Sequence, residues 1–267
     1  MAFWGGILNF LDTKMETPVI YGWFHIVFFV LSVVIAVVLS IRCKNPGEGF
    51  MRKLLLTVAV VSLALEVYKQ INYSFTYDGQ TIHFDYQWYS FPFQFCSTLM
   101  YVCLLAGCLK KGKLRDALCA YLATFALFAG LCVMIYPGQV FIDTVGINIQ
   151  TMICHGAMVT LGIYLLCSGY VKIEHRTLWK ALPVFMVLLT MAAVMNEIAH
   201  ASGLLERETF NMFFISPYCA PSLPVYSLVQ ERVAYPWCTL IYIVGFSLAA
   251  YIMLLIPMAF RRLKKKP

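Results

Sequence analysis

Residues 33–39 read VVIAVVL, a run without a polar side chain on any side of a helix or on either face of a strand. The run lies inside a longer apolar stretch, residues 20–41, which meets the roughly 20 residues that a helix needs to cross the hydrocarbon of a bilayer. Strands of a membrane β-barrel alternate apolar and polar residues instead. The stretch therefore indicates a membrane-spanning α-helix.

Six further stretches have the length and composition of a spanning helix, so we predict an all-α membrane protein, a bundle of seven transmembrane helices. With the first stretch, their ranges are 20–41, 54–73, 89–109, 115–136, 149–171, 179–200 and 235–260. Apolar residues make up 61% of the 267 residues and charged residues 12%, whereas a soluble domain typically carries about 25% charged residues. This composition excludes the soluble classes.

Lysine and arginine are concentrated on one side of the predicted bundle, with sixteen in the connections 1–2, 3–4 and 5–6 and in the tail, against three on the other side. Because positive charge is retained in the cytoplasm, we predict an outer N-terminus, a cytoplasmic C-terminus and a multi-pass protein of the cell membrane. Residues 1–19 form an extracytoplasmic interfacial segment, 20–260 the transmembrane domain with a long outer loop at 201–234, and 261–267 a basic cytoplasmic tail. The net charge of +7 follows from this bias, so no nucleic-acid partner is predicted.

Polar and ionisable side chains fall in the outer halves of the predicted spans, and we find no comparable group in the inner halves. Such residues are costly in a membrane and are by default functional candidates. The asymmetry predicts a pocket open to the outer face, with a membrane lipid as substrate or ligand. Its candidate residues are His25, Glu66, Lys69, Asn72, Gln94, Cys96, His155, Asn196 and His200.

Glu66 and Lys69 are three residues apart and share a helix face, which Asn72 extends. Either they bind a lipid headgroup, or they form an ion pair that neutralises two charges within the membrane. Asn196 and His200 share a face in the same way.

Cys96 and His155 are predicted at nearly the same depth, if the third helix begins at Tyr89 with Pro92 in its first turn. A thiol beside an imidazole can be deprotonated and attack an acyl carbonyl to give a thioester. The alternatives are a small buried hydrophobe for Cys96, as for the other nine cysteines, and a hydrogen-bonded buried histidine for His155.

The outer loop 201–234 exceeds the usual helix connection in length, so we expect a cap or lid over the pocket. Cys219, within it, is a possible disulfide partner of Cys238. The cysteines contain no C-x-x-C pair, and the chain has no H-E-x-x-H, G-x-S-x-G or phosphate-binding glycine loop. We therefore predict no metal and no cofactor, and nothing in the sequence fixes an oligomeric state.

Four short motifs resemble those of the YwaF-type integral membrane proteins: FPFQFC at 91–96, CHG at 154–156, NMF at 211–213 and YPW at 235–237. The same pattern is similar to the eukaryotic transmembrane protein 164 group, regarded as cysteine-dependent phospholipid acyltransferases. The resemblance covers nearly the whole seven-span body, from Ile20 to about Phe260. It implies that Cys96 is the nucleophile and His155 its partner, and that Asn211 and Trp237 occupy recurrent positions, which we add to the substrate-binding candidates.

We therefore expect a membrane-embedded lipid acyltransferase or acyl hydrolase in which His155 activates Cys96. Two other classes stay open. A seven-helix sensor would bind an extracellular ligand and act through its short cytoplasmic loops, and a small-molecule transporter would need a polar path through the inner halves.

Overall fold

The structure is a computed structural model that describes residues 2–203, 205, 209–220 and 223–263. Parts of the long outer loop (204, 206–208 and 221–222) and of the basic tail (264–267) lie outside these residues. Within the described ranges we number the α-helices α1 (Ala2–Leu11), α2 (Trp23–Arg42), α3 (Glu48–Asn72), α4 (Thr98–Cys108), α5 (Lys113–Ile135), α6 (Val145–Cys167), α7 (His175–Ser202), α8 (Pro224–Gln230) and α9 (Tyr235–Leu263).

Five of the described helices are long and apolar enough to cross a membrane, namely α2, α5, α6, α7 and α9. The other two predicted spans, 54–73 and 89–109, fall on α3 and α4. Helix α3 has 25 residues but carries five charged side chains, and α4 has only 11 residues. The membrane character of the bundle is thus supported, while the count of seven spans and the orientation of the termini stay predictions.

Burial separates the central helices from those at the periphery. In the apolar windows of α5 and α6, 67% and 72% of the residues are buried inside the protein, against 22% in α2 and 17% in α9. Helix α6 packs against α2, α3 and α5. Residues on α6 are therefore enclosed by protein on several sides, whereas α2 and α9 present most of their apolar surface outward.

The third predicted span does not begin as a helix at Tyr89, so that part of the prediction is wrong. A short 3₁₀ turn, Trp88–Ser90, is followed by a series of turns, and α4 starts only at Thr98. Pro92 cannot donate a backbone hydrogen bond, and the Phe93 N–H bonds back to the Phe91 carbonyl at 2.7 Å. Cys96 consequently lies in a turn that precedes a helix.

Helix α5 contains one π-helical turn, Leu122–Ala126, in which every residue is buried. π-Helical turns inside α-helices often occur at functional sites. The residue just before it, Tyr121, is fully buried, and its hydroxyl lies 3.0 Å from the Thr98 hydroxyl at the start of α4. The turn therefore adjoins the segment that carries Cys96.

A small extramembrane layer caps the end of the bundle that we predict to be outer. Strands β1 (Phe75–Tyr77) and β2 (Ile82–Phe84) form an antiparallel hairpin in which Thr76 faces His83. An isolated bridge joins Lys14 to Thr144, and Lys14 lies 3.0 Å from Asp12 and 3.3 Å from Asp143. These contacts hold the segment after α1 to the start of α6.

The opposite end of the bundle also holds a buried charge, so the expectation of apolar inner halves is wrong. Arg115, near the start of α5, is only 3% exposed. The charge count places Arg115 in the connection between the third and fourth predicted spans. Its side chain instead turns inward and donates to a Glu48 carboxylate oxygen at 2.8 Å. A long, flexible side chain can bury its charge in this way when a partner is available.

Candidate functional site

The buried ion pair predicted on α3 is confirmed. Lys69 Nζ lies 2.7 Å from Glu66 Oε1, and the two side chains are 11% and 6% exposed. Gln70 Nε2 donates to the same carboxylate oxygen at 2.8 Å, while the Ser97 hydroxyl donates to Oε2 at 3.3 Å. Both oxygens of Glu66 are therefore hydrogen-bonded, which is what a buried carboxylate requires.

Cys96 is held by the turns that lead into α4. The N–H groups of Ser97, Thr98 and Leu99 bond to the carbonyls of Gln94, Phe95 and Cys96 at 3.0, 3.3 and 3.3 Å. Cys96 is partly exposed and lies two residues before Thr98, the first residue of α4, so it is near the positive end of the helix.

His155 projects from α6 and is 6% exposed. Its Nδ1 lies 2.8 Å from the Thr151 carbonyl oxygen, one turn earlier in the same helix. Because a carbonyl can only accept, Nδ1 carries the proton of the neutral ring, and Nε2 is left as an acceptor. The imidazole is thus fixed in one tautomer and one orientation by the backbone.

The structure brings the Cys96 thiol and the His155 imidazole together as interacting neighbours. Since Nδ1 is occupied by Thr151, Nε2 is the ring nitrogen available to the thiol. Ser97, the next residue after Cys96, donates to Glu66, which is paired with Lys69. Of the residues predicted from sequence, Cys96, His155, Glu66 and Lys69 therefore form one cluster, which we call the thiol site.

Two backbone donors lie beside the thiol. In the part of the chain that the structure describes, the N–H groups of Phe95 and Cys96 donate to no protein acceptor. The surrounding amides of Ser97, Thr98 and Leu99 are all paired. Unpaired N–H groups next to a nucleophile are what an oxyanion hole needs.

A groove of about 340 Å³ adjoins the thiol site and opens on the outside of α3. Glu66, Gln70, Pro92 and Tyr101 form part of its lining, and the remainder is mostly apolar. Val67, at its edge, is 51% exposed on the surface of the bundle. The groove therefore leads from the apolar surface of the bundle to the Glu66 side chain of α3.

Three other candidates lie elsewhere, and the side chains of two of them bind backbone groups. Asn72 donates to the Leu11 carbonyl at 3.3 Å. The His25 ring lies between the Met134 carbonyl, 2.8 Å from Nε2, and the Tyr21 N–H, 3.0 Å from Nδ1. Trp237 is 63% exposed at the start of α9.

Asn196 and His200, predicted on one face of α7, have different partners. Asn196 accepts from the Met212 N–H at 2.8 Å and donates to the Met212 carbonyl at 3.1 Å. The His200 ring stacks on Tyr218 with 3.5 Å between centroids. Both contacts fasten the outer loop to α7.

The part of the outer loop around Met212, which Asn196 holds, packs onto the residues that precede Cys96. A 3₁₀ turn, Met212–Phe214, is almost fully buried, and the Phe213 ring lies 4.9 Å from the Phe95 ring. Gln94 Nε2 donates to the carbonyls of Tyr89 at 3.1 Å and Asn211 at 3.5 Å. The loop thus covers the FPFQFC segment, although Gln94 and Asn211 do not contact the thiol directly in any described hydrogen bond.

Neither Cys219 nor Cys238 forms a disulfide in the structure. The Cys219 sulfur lies 3.5 Å from the Phe210 carbonyl, and the Cys238 sulfur lies 2.8 Å from the Val233 carbonyl. Among the described residues there is no group of three or more histidine, cysteine or acidic side chains placed to hold a metal ion.

Sequence reasoning missed Thr151, Ser97 and Gly130. Thr151 lies four residues before His155, the spacing at which a helical carbonyl reaches a side chain one turn later, so its role was discernible in the sequence. Ser97 was assigned to a helix and not to the turn from which it reaches Glu66. Gly130, in α5, lies so close to α6 that an added methyl group would be 2.9 Å from the His155 carbonyl oxygen. The sequence gives no signal of this contact, because it depends on how the two helices pack.

The TMEM164 family model matches residues 19–256 of the chain. No curated protein and no solved structure matches it.

Proposed function

This chain belongs to the TMEM164 family, and from that membership together with the Cys96–His155 contact we propose that it is a membrane-embedded, cysteine-dependent lipid acyltransferase or acyl hydrolase. The family membership supports a multi-pass membrane protein, and the reaction is our inference from the thiol site. The contact between the thiol and the imidazole carries the proposal.

In the first step, His155 Nε2 accepts the Cys96 S–H proton and the thiolate attacks the carbonyl carbon of a lipid ester. The tetrahedral oxyanion that forms is stabilised by the unpaired N–H groups of Phe95 and Cys96. The intermediate collapses when the ester C–O bond breaks. The departing lysolipid oxygen takes the proton from His155, and the acyl group stays on Cys96 as a thioester.

In the second step, His155 accepts a proton from the hydroxyl of a second lysolipid, or from water, and that oxygen attacks the thioester carbonyl. The C–S bond breaks, and the Cys96 thiolate takes back the proton from His155. Transfer to a lysolipid makes the protein an acyltransferase, whereas transfer to water makes it a hydrolase. The Thr151 carbonyl keeps the ring in the tautomer that both steps need.

The groove beside α3 supports a lipid substrate over a soluble ester. Its apolar lining suits an acyl chain, and its opening lies on the apolar surface of the bundle. Glu66 lines the groove, and Lys69 is paired with it from behind, so this ion pair is suited to hold the polar part of the lipid. Cys96 and His155 are not in the lining, so the scissile ester must pass Glu66 to reach the thiol. Gln94, Asn196, His200 and Asn211 are proposed to hold the outer loop over the FPFQFC segment. His25, Asn72 and Trp237 lie away from the thiol site and are given no part in the reaction.

The proposal is tested with purified protein in phosphatidylcholine nanodiscs, supplied with a phospholipid labelled in its acyl chain and an unlabelled lysolipid. We expect the label to move to the lysolipid, and the transfer to fall at least about 10³-fold in Cys96→Ala. Transfer that survives in Cys96→Ala would reject the mechanism. Ligand-dependent stabilisation without turnover, equal in wild type and Cys96→Ala, would instead favour the sensor.

A further inference from the structure

A polar cavity of about 430 Å³ lies at the end of the bundle opposite the thiol site, the end that the charge count predicts to be cytoplasmic. Glu48, at the first residue of α3, is in its lining. Glu66 of the thiol site is 18 residues further along the same helix, which places it ~27 Å away at 1.5 Å per residue. The cavity is therefore separate from the proposed catalytic centre.

Three helices begin at this cavity. Asn45, Pro46 and Glu48 belong to the start of α3, Lys111 and Asp116 to the start of α5, and Lys172 and Thr177 to the start of α7. The N–H groups of a first helical turn have no partner within the helix, and the helix dipole adds partial positive charge there. Convergent N-termini are a frequent site of phosphate binding.

Basic side chains surround the same space. Lys111, Lys172 and Lys180 line the cavity. The nearby acids only partly offset them, since Glu48 lies 3.2 Å from Lys111 and is shared with Arg115, and Lys180 is 3.8 Å from Glu174. Asp116 is the other acid in the lining. With Arg115 included, four cations face Glu48 and Asp116, with Glu174 nearby.

Arg115 supplies an independent observation. Its guanidinium lies between two lining residues, donating from Nη1 to Glu48 at 2.8 Å and lying 5.9 Å from the centre of the Tyr170 ring. Its Nε and Nη2 are buried and have no acceptor among the described residues. Buried donors of a charged group that lack a partner are costly, and an additional anion is one way to satisfy them.

We propose that this cavity is a binding site for a phosphate group, carried by an anionic lipid headgroup or by a soluble phosphate compound. The phosphate oxygens accept from the helix N-termini and from Lys111 and Lys172, while Glu48 gives up part of its contact with Lys111. Arg115 keeps Nη1 on Glu48, and its unpaired Nε and Nη2 are the donors left for the anion. This site does not depend on the acyl-transfer proposal.

The test uses the full-length protein in phosphatidylcholine nanodiscs and follows its thermal unfolding. One arm titrates inorganic phosphate against sodium chloride of equal ionic strength, and the other replaces part of the phosphatidylcholine with phosphatidic acid. The test variant is Lys111→Gln/Lys172→Gln. The control is Lys53→Gln/Lys110→Gln, which removes the same charge from the same end of the bundle at positions outside the cavity lining.

We expect saturable stabilisation of the wild type and of the control, with apparent affinity about tenfold weaker in the test variant. Stabilisation by inorganic phosphate supports a soluble ligand, and stabilisation by phosphatidic acid alone supports a lipid headgroup. The proposal is overturned if neither probe stabilises the wild type, or if the control variant loses as much affinity as the test variant.

Discussion

The His155 ring is held by the Thr151 carbonyl oxygen, which lies 2.8 Å from Nδ1 and belongs to the preceding turn of the same helix. In many hydrolytic sites a third side chain orients the histidine. Here a main-chain group does so, and it cannot be removed by substitution at residue 151. The tautomer of the imidazole is therefore set within α6, while its distance from the thiol depends on how α6 packs against its neighbours.

We expect His155→Ala to lower acyl transfer by about 10²–10⁴-fold, the usual contribution of a positioned base. The matched control is His25→Ala, which removes an equally buried histidine that also contacts a main-chain carbonyl. His25→Ala is expected to reduce thermal stability with little change in specific activity of the folded protein. Equal losses of activity in the two variants would show that His155 has no special part in the reaction.

The contact between α5 and α6 is predicted to set the position of His155. A methyl group at Gly130 would lie 2.9 Å from the His155 carbonyl oxygen and 2.7 Å from Met158 Cβ. Gly130→Ala must therefore push α6 away, and we expect kcat to fall by roughly 10- to 100-fold because the imidazole is displaced from the thiol. Specific activity is measured well below the unfolding temperature of the variant, so that a loss of folded protein does not lower the measured rate.

The control for Gly130 is Gly245→Ala in α9, where an added methyl group meets no atom within 4 Å among those described. We expect this substitution to leave kcat unchanged and to stabilise the helix by about 0.5–1 kcal/mol. If Gly130→Ala is as active as Gly245→Ala, packing at this point does not position the histidine.

Removal of one member of the Glu66–Lys69 pair is predicted to be more harmful than removal of both. Glu66→Gln leaves a buried ammonium without its counter-ion, which costs about 3–5 kcal/mol, whereas Glu66→Leu/Lys69→Leu leaves no unpaired charge. Chemical denaturation in detergent compares the two free energies of unfolding. A double variant less stable than Glu66→Gln would contradict the view that the pair mainly neutralises itself.

Asn196 is predicted to keep the outer loop on the segment that carries Cys96. Asn196→Ala removes both bonds to the Met212 main chain. The buried Met212 N–H is left unpaired, at a cost of about 1–3 kcal/mol, while the carbonyl keeps only its 3.5 Å bond from the Ile215 N–H. We expect the backbone amides of residues 209–216 to exchange faster with solvent in Asn196→Ala, because this part of the outer loop is released from α7. His200→Ala, one turn later, touches only the Tyr218 contact and should leave exchange in that segment unchanged.

The clustering of Cys96 with His155 was accessible from sequence because apolar stretches fix the depth of each residue in a membrane. Two residues at equal depth in neighbouring helices can then meet, and the structure brings these two together. The Glu66–Lys69 pair was predictable for a simpler reason, since helical spacing alone places the two side chains on one face.

Other features could not be derived because they depend on tertiary packing. Pro92 is compatible with a first helical turn, so the sequence alone predicts a helix there. The irregular chain found instead packs Phe93 and Phe95 against Phe213 of the outer loop, a contact that the sequence does not reveal. Arg115 was counted with the loop charges, and its burial requires Glu48, 67 residues earlier in the chain. Helix α3 spans 25 residues because charged residues extend it beyond the apolar stretch used to predict it.

The central claim is tested most directly by intact-protein mass spectrometry after brief incubation with a phospholipid. We expect an added acyl mass that hydroxylamine removes, that maps to Cys96, and that is absent in Cys96→Ala and strongly reduced in His155→Ala. An acyl group found on another cysteine, or lipid turnover without any adduct and unaffected by Cys96→Ala, would contradict the account.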